Sequence, residues 1–275
     1  MNSSGPIGIF DSGLGGLSIA RAIRQELPSE NLIYVADQKF SPYGTKSKAQ
    51  IEQRSERIVD FLCAQGCKAV VVACNTATVN SIDRLRAKFN IPIIGVEPGV
   101  KPAALKSQSG VVGILATERT LASNSFAALR RRFSKKAKIE VVACPALVEL
   151  VEAVDLGSDR AVAAVEGYVQ PLLTAGADHI VLGCTHYAFL TPVIEQVVGG
   201  QARVVDTATP VALELKRRLV TLELLQPQAP GSLGELRCLS TDTSGGVASN
   251  MSQLLGQSVD VSVFPAIAEV ETEVP

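Results

Sequence analysis

The chain has 275 residues, of which 47% are hydrophobic and 19% charged, which is the composition of a globular protein and excludes a disordered chain. Its 26 basic and 27 acidic residues leave a formal net charge of -1, so there is no general electrostatic reason for it to bind nucleic acid or an anionic membrane. We therefore expect a small molecule as the partner, with no nucleic acid and no membrane involved.

The N-terminus has no charged segment followed by a long apolar run, so no secretory signal is visible and a cytoplasmic location is predicted. The cysteines are then expected to stay reduced, and any single one is most often a core residue. They show no C-x2-C spacing, and His179 and His186 are the two histidines of the sequence, so we predict no metal site. The six cysteines are Cys63, Cys67, Cys74, Cys144, Cys184 and Cys238.

Short apolar runs rich in β-branched residues predict eight strands, at 6–10, 31–36, 68–73, 91–96, 110–115, 139–143, 179–183 and 202–206. Longer segments with helical spacing separate most of them. Apolar strands that alternate with helices are typical of a parallel sheet covered on both faces, so the predicted class is α/β. After residue 206 we expect a helix, a break at "QPQAPGS", and then a strand, a helix and a last strand through "VSVF", which return to the first part of the fold.

The pattern occurs twice. A shift of 110 positions lays "QGCKAVVVACNT" (65–76) over "AGADHIVLGCTH" (175–186) without a gap, which aligns Cys74 with Cys184. This predicts an internal duplication, with copies near 6–96 and 111–206, although any two βαβ units share some similarity. We predict two similar doubly wound parallel-sheet domains related by pseudo-two-fold symmetry, with the active site in the cleft between them. The predicted domains are 1–97 plus 210–275, and 98–209.

Polar residues lie where ligands bind in open parallel sheets, beyond the carboxyl ends of the strands. In "FDSGLGG", Asp11 and Ser12 leave the first strand, and the glycines that follow let backbone amides approach a ligand. A nucleotide-binding or regulatory module is one interpretation of this loop. The spacing is not G-x-G-x-x-G, however, and Asp11 would repel a phosphate. Asn75, Thr76 and Thr185 follow later strands, and helix capping alone would account for each taken singly.

The duplication changes the interpretation of Cys74 and Cys184. At equivalent strand ends of two facing domains, the two thiols would lie on opposite sides of one ligand. A helix N-terminus can lower the pKa of a thiol from about 8.5 toward neutrality, and His186 or a carboxylate could exchange its proton. Such a pair can remove a proton from one face of a carbon and deliver another to the opposite face. We therefore predict inversion of a stereocentre, with neither a cofactor nor a metal.

The motifs "GIFDSGLGG", "SPYG", "ACNTAT", "GVEPGVKPA" and "LGCTHY" resemble those of the glutamate racemases in order and approximate spacing, over about residues 6–210. The resemblance implies a homodimeric enzyme that interconverts L- and D-glutamate without pyridoxal phosphate and supplies D-glutamate for peptidoglycan. It also implies an active site between two α/β domains. An aspartate or hydantoin racemase would share the two-cysteine logic and is the alternative within the same class.

The resemblance implies that Cys74 and Cys184 are the acid/base pair and that Asp11, Glu152 and His186 support them. Arg119 stands where the family often has a glycine, and Glu149 stands where it often has a proline. The motifs contain no arginine or lysine, so the two carboxylates of glutamate are expected to bind backbone amides, hydroxyls and helix N-termini. The implied substrate-binding residues are Asp11, Ser12, Tyr43, Gly44, Asn75, Thr76, Thr117, Thr120, Thr185 and His186.

Overall fold

The computed structural model describes residues 3–226, 231–242 and 244–264. Within these ranges ten strands form two parallel sheets, which confirms the predicted α/β class. The six-stranded sheet has the order β10-β9-β2-β1-β3-β4, and the four-stranded sheet has the order β6-β5-β7-β8. The strands are β1 (Ile7–Asp11), β2 (Leu32–Ala36), β3 (Ala69–Val72), β4 (Ile93–Gly95), β5 (Val111–Ala116), β6 (Lys138–Ala143), β7 (His179–Gly183), β8 (Arg203–Val205), β9 (Leu236–Ser240) and β10 (Val261–Val263).

Helices connect the strands, and local sequence signals set several of their ends. Ser47 and Gln50 form a reciprocal capping box at the start of α2, and Gly199 ends α9 in the left-handed conformation. The α-helices are α1 (Leu17–Glu26), α2 (Lys48–Ala64), α3 (Asn75–Lys88), α4 (Val100–Lys106), α5 (Glu118–Leu121), α6 (Asn124–Phe133), α7 (Pro145–Glu152), α8 (Asp159–Thr174), α9 (Thr191–Val198), α10 (Ala208–Thr221) and α11 (Val247–Leu255), and the 3₁₀ helices are Gln38–Phe40, Tyr43–Thr45 and Thr185–Leu190.

Both faces of each sheet are covered, because successive strand residues point to opposite sides. In β1, Ile9 belongs to a buried cluster that includes α1 and α10, whereas Phe10 belongs to a second cluster with α2 and α3. The first of these clusters continues into the four-stranded sheet and its helices α8 and α9. One continuous apolar core therefore joins the two sheets. Across the described ranges, every helix is too short or too polar to cross a bilayer.

The two sheets repeat one strand order. The order β2-β1-β3-β4 matches β6-β5-β7-β8 position by position, so the duplicated sequence pattern corresponds to a duplicated topology. Strands β9 and β10 join the first sheet beside β2, as expected for the C-terminal tail. Helix α10 begins at Ala208, close to the predicted return point at 210, and packs on α1. The domain boundaries themselves stay a prediction.

Candidate active site

Cys74 lies two residues after the end of the short strand β3 and caps the N-terminus of α3. Its sulfur accepts a hydrogen bond from the backbone amide of Ala77 at 3.4 Å and lies 3.6 Å from the hydroxyl of Ser12, at the end of β1. β1 and β3 are adjacent and parallel, so their carboxyl ends bring Ser12 and Cys74 together.

Cys184 has the equivalent position in the second sheet, directly after β7. Its Sγ lies 3.6 Å from His186 Nδ1. The segment after it is the 3₁₀ helix Thr185–Leu190 rather than the α-helix that follows Cys74. The two thiols are close enough that a negative charge on Cys184 contributes to raising the pKa of Cys74. The predicted equivalence of the two strand ends is therefore present in the fold.

The environment of Cys74 favours the neutral thiol. Burial raises its pKa well above the ordinary value, and the charge of Asp11 adds to this effect. The hydrogen bonds with the Ala77 amide and the Ser12 hydroxyl act in the opposite direction and are outweighed. The expectation that a helix N-terminus lowers the pKa of this thiol is therefore wrong, because desolvation outweighs the effect of the helix end.

His186 and Glu152 form a partly buried ion pair next to Cys184. The imidazole Nε2 lies 2.7 Å from Glu152 Oε1, and Nδ1 faces the Cys184 sulfur. Burial alone would lower the pKa of His186, but its hydrogen bonds to Cys184 and Glu152 raise it well above the ordinary value. Burial would raise the pKa of Glu152, and His186 holds it below the ordinary value. Both shifts favour the charged forms of the pair, so the geometry places an imidazole and a carboxylate that can exchange a proton next to Cys184.

The "DSGLGG" loop supplies its backbone amides to carboxylates of the protein itself. Gly13 N and Gly16 N donate to Asp11 Oδ2 at 3.2 and 3.0 Å, and Leu14 N donates to Glu152 Oε1 at 2.7 Å. Gly15 N lies 3.3 Å from His186 Nε2, beneath the imidazole ring. This loop therefore binds the acid/base groups, and those amides are not available to cradle a phosphate, which argues against the nucleotide-binding interpretation.

Three threonines connect the two halves of the structure, which are the part with the six-stranded sheet and the part with the four-stranded sheet. Thr76 Oγ1, at the start of α3, lies 2.8 Å from Thr117 Oγ1 and 3.3 Å from Thr120 Oγ1. Thr117 also caps α5 by accepting from the Thr120 amide. A Cβ added to Gly44 would lie 3.5 Å from Thr117. The structure thus brings the four predicted binding residues Gly44, Thr76, Thr117 and Thr120 together. Arg119 lies in the first turn of α5, between Thr117 and Thr120 in the sequence.

Two buried acceptors of the site have no hydrogen-bond partner among the described residues. They are Asp11 Oδ1 and Asn75 Oδ1. Asn75 is fixed by its amide nitrogen, which donates to the Val96 carbonyl at 3.2 Å. Buried acceptors are usually satisfied, so these two oxygens are candidates to accept hydrogen bonds from a ligand. Thr185 is also buried, and its carbonyl accepts from the Ser18 hydroxyl at 3.2 Å.

Tyr43 differs from the sequence-based expectation in what its hydroxyl contacts. The hydroxyl donates to Asp37 Oδ2 at 2.7 Å, and Arg54 binds the same carboxylate through two nitrogens at 2.8 and 2.5 Å. Tyr43 can therefore offer a ligand its backbone but not a free hydroxyl. Asp37 and Arg54 were not among the predicted site residues, because no local motif marks them.

The cleft is closed around these groups. Asp11 has no exposed surface, and Cys74 and Cys184 are 5% and 8% exposed. Ser12, Asn75, Thr76 and His186 are buried as well. The two sulfurs are therefore accessible to a ligand of the size of an amino acid only when the cleft opens. Among the described residues, no three His, Cys, Asp or Glu side chains are grouped to hold a metal ion.

The family model of the Asp/Glu/Hydantoin racemases matches residues 17–214. The chain belongs to this racemase family. A glutamate racemase of Cupriavidus pinatubonensis is 45% identical over 266 residues, with 96% of this chain and 97% of that protein covered. A glutamate racemase of Pseudomonas putida is 51% identical over 223 residues, with 81% and 84% covered. The resemblance inferred from the motifs is thereby confirmed at the level of the family.

Solved racemase structures share the fold. The Escherichia coli glutamate racemase, solved with L-glutamate and the activator UDP-MurNAc-Ala, has a TM-score of 0.80 and 34% identity over 94% of this chain and 98% of that one. The Francisella tularensis enzyme, solved with D-glutamate, has a TM-score of 0.83 and 27% identity over 95% and 98%. The two-sheet architecture of this racemase-family chain is therefore that of known glutamate racemases.

Proposed function

We propose that the protein is a glutamate racemase that interconverts L- and D-glutamate and supplies the D enantiomer for peptidoglycan. The observation that carries the proposal is the pair of thiols at equivalent strand ends of two sheets with the same strand order. The relatives that cover nearly the whole chain are glutamate racemases, which supports glutamate over the aspartate or hydantoin alternative.

In the proposed mechanism each thiol acts on one face of the α-carbon. The thiolate of one cysteine takes the α-hydrogen as a proton, so the C–H bond breaks and an S–H bond forms. The electron pair left on the α-carbon is delocalised into the α-carboxylate. The thiol of the other cysteine then gives its proton to the opposite face, which forms the new C–H bond and leaves a thiolate. No redox step occurs, so the balance needs no cofactor.

Each cysteine has its own route for returning its proton. Cys184 faces the His186 imidazolium, which Glu152 stabilises. Cys74 is next to Asp11, whose pKa burial raises above the ordinary value, so this carboxyl is the candidate proton partner of Cys74. After one turnover the two cysteines have exchanged protonation states. Proton exchange with His186 at Cys184 and with Asp11 at Cys74 then restores the original states before the next substrate binds.

For substrate binding, the proposal assigns different groups of glutamate to different parts of the site. The unpartnered oxygens of Asp11 and Asn75 would accept hydrogen bonds from the substrate ammonium group. The carboxylates would bind hydroxyls and backbone amides of the remaining predicted residues, at the N-terminal end of α3 and in the loop after Cys184. The predicted substrate-binding residues Ser12, Tyr43, Gly44, Thr76, Thr117, Thr120, Thr185 and His186 all remain part of the proposal.

The direct test is whether the purified, cofactor-free protein inverts glutamate. Circular dichroism should show L-glutamate and D-glutamate each relaxing to the racemate, with a Cys74→Ser/Cys184→Ser double variant as the inactive control. Inversion of aspartate together with inert glutamate would overturn the substrate assignment. The homodimer implied by the resemblance is a separate prediction. The molar mass in solution, measured by light scattering during size-exclusion chromatography, tests it.

A further inference from the structure

Glu152 is held by two different parts of the chain besides His186. Its Oε1 accepts from the Leu14 amide, and its Oε2 accepts from Gln38 Nε2 at 3.0 Å. Gln38 lies in the 3₁₀ helix after β2, in the first half of the structure, whereas Glu152 ends α7 in the second half. The contact between Gln38 and Glu152 therefore joins the two halves directly beside the ion pair of His186 and Glu152.

A chain of hydrogen-bond donors fixes the orientation of the Gln38 amide. The Asp242 amide donates to Ser240 Oγ at 3.0 Å, and Ser240 Oγ donates to Gln38 Oε1 at 3.0 Å. Because the Ser240 oxygen accepts from a backbone amide, its own hydrogen is left to bind the Gln38 carbonyl oxygen. The Gln38 amide group therefore presents its NH₂ end, and not its oxygen, to Glu152.

This donor chain exists because of the C-terminal tail. Ser240 is fully buried at the end of β9 and pairs in register with Ala36 of β2, two residues before Gln38. Asn250 of α11 adds a second contact from the tail, because its Nδ2 donates to the Glu152 carbonyl at 3.0 Å. In the four-stranded sheet, by contrast, β6 is an edge strand, and no strand of the described residues lies beside it as β9 lies beside β2. Through Ser240 and Asn250 the tail therefore supports Glu152, which pairs with His186 next to Cys184.

We propose that Gln38 and Ser240 are positioning residues of the acid/base site, which direct the Glu152 carboxylate at His186 and so act on the Cys184 side. The inference rests on the proposed racemase function. The side-chain hydrogen bonds of Gln38 and Ser240 lead to Glu152, so their effect is expected to pass through Glu152.

The sign of the pH effect follows from the groups around Glu152. Burial raises the pKa of Glu152, while His186, the Leu14 amide and Gln38 together lower it below the ordinary value. The other titratable groups that interact with Glu152 are Asp11 and Tyr34, both of them buried. Loss of the Gln38 donor removes one lowering contribution, so Glu152 takes up its proton at a higher pH. The acidic limb of the activity profile then moves to higher pH.

The experiment compares Gln38→Leu, Gln38→Glu and Ser240→Ala with the parent protein. We expect the acidic limb of kcat/KM for glutamate to move up by roughly one pH unit in Gln38→Leu, from the loss of one hydrogen bond to a charged group. Ser240→Ala should move it less, because the Gln38 amide is then free to turn. Gln38→Glu keeps the side-chain shape but places a like charge at Glu152, so the limb should move further than in Gln38→Leu.

The matched control is Thr241→Val. Thr241 Oγ1 accepts from the Lys39 amide at 3.0 Å and so binds the same 3₁₀ helix that carries Gln38, but it makes no hydrogen bond to Glu152. The pH profile of kcat/KM in Thr241→Val should therefore follow that of the parent. Exchange of the substrate α-hydrogen in deuterated water provides a second readout, which should change mainly for the enantiomer that Cys184 deprotonates. If the Gln38 and Ser240 variants match Thr241→Val in both readouts, the inference is wrong. If the parent protein does not racemise glutamate, the proposed function fails instead.

Discussion

The imidazole of His186 lies directly on the backbone of Gly15. Gly15 N is 3.3 Å from His186 Nε2, and a Cβ added at Gly15 would overlap the imidazole ring and the His186 backbone. The glycine comes from the loop after β1 in the first sheet, and the histidine follows β7 in the second. A residue without a side chain is thus what lets the acid/base pair of one half approach the other half.

We predict that Gly15→Ala lowers kcat/KM for glutamate by about 100-fold. The added methyl group would push the His186 imidazole away from Cys184, and a misplacement of about 1 Å costs about that much in rate. Gly167→Ala is the matched control, since Gly167 lies within α8 with no atom within 4 Å of the added Cβ. This control should keep full activity and gain about 0.5–1 kcal/mol in unfolding free energy. Equal activity in both variants would show that the position of His186 does not matter.

The two cysteines should be separable by isotope exchange. We expect Cys74→Ser and Cys184→Ser each to slow racemisation by about 10²–10⁴-fold, the range for loss of one acid/base group. Exchange of the α-hydrogen with deuterated solvent should become strongly asymmetric between the enantiomers, in opposite senses for the two variants. Cys63→Ser, at a half-buried position away from the cleft, should behave as the parent does. Symmetric residual exchange in both variants would contradict one thiol per face.

The ion pair at His186 predicts the direction of the alkaline limb. Glu152 raises the pKa of His186, so Glu152→Gln should lower that pKa and move the alkaline limb of kcat/KM to lower pH. NMR titration of the His186 imidazole checks this directly, because the sequence has two histidines and the signals of His186 and His179 are therefore easily assigned. Glu149→Gln, on the exposed side of the same helix, is the control and should leave the limb in place. An unchanged titration of His186 in Glu152→Gln would rule out the coupling.

The strands and the paired cysteines could be predicted because their signals are local. Apolar runs such as "AVVV" specify buried parallel strands, and the repeat then places Cys74 and Cys184 at equivalent ends. The contact between Gln38 and Ser240 was missed, because it joins residues 202 positions apart through pairing of β9 with β2. The raised pKa of Cys74 was also missed, since a helix cap is visible in sequence but the extent of desolvation is not.

A buried ion pair outside the cleft should control stability. Lys68 Nζ lies 2.5 Å from Glu30 Oε2, with the two side chains 0% and 2% exposed. Lys68→Met removes the ion-pair partner of Glu30 and, among the described residues, leaves only the Gln226 amide and the charge of Arg24 near its carboxylate, so we expect the unfolding free energy to fall by about 3 kcal/mol in chemical denaturation. Lys48→Met removes an exposed partner of Glu52 and should cost less than about 1 kcal/mol. Similar losses in both variants would mean that burial of the pair contributes little.

The closed cleft has a consequence for the lifetime of the protein as well as for its turnover. The two sulfurs are covered by the protein itself, so an alkylating reagent or an oxidant can reach them only while the halves are apart. The same opening that admits an amino acid therefore also admits damage. The rate of inactivation by a thiol reagent therefore measures how often the cleft opens.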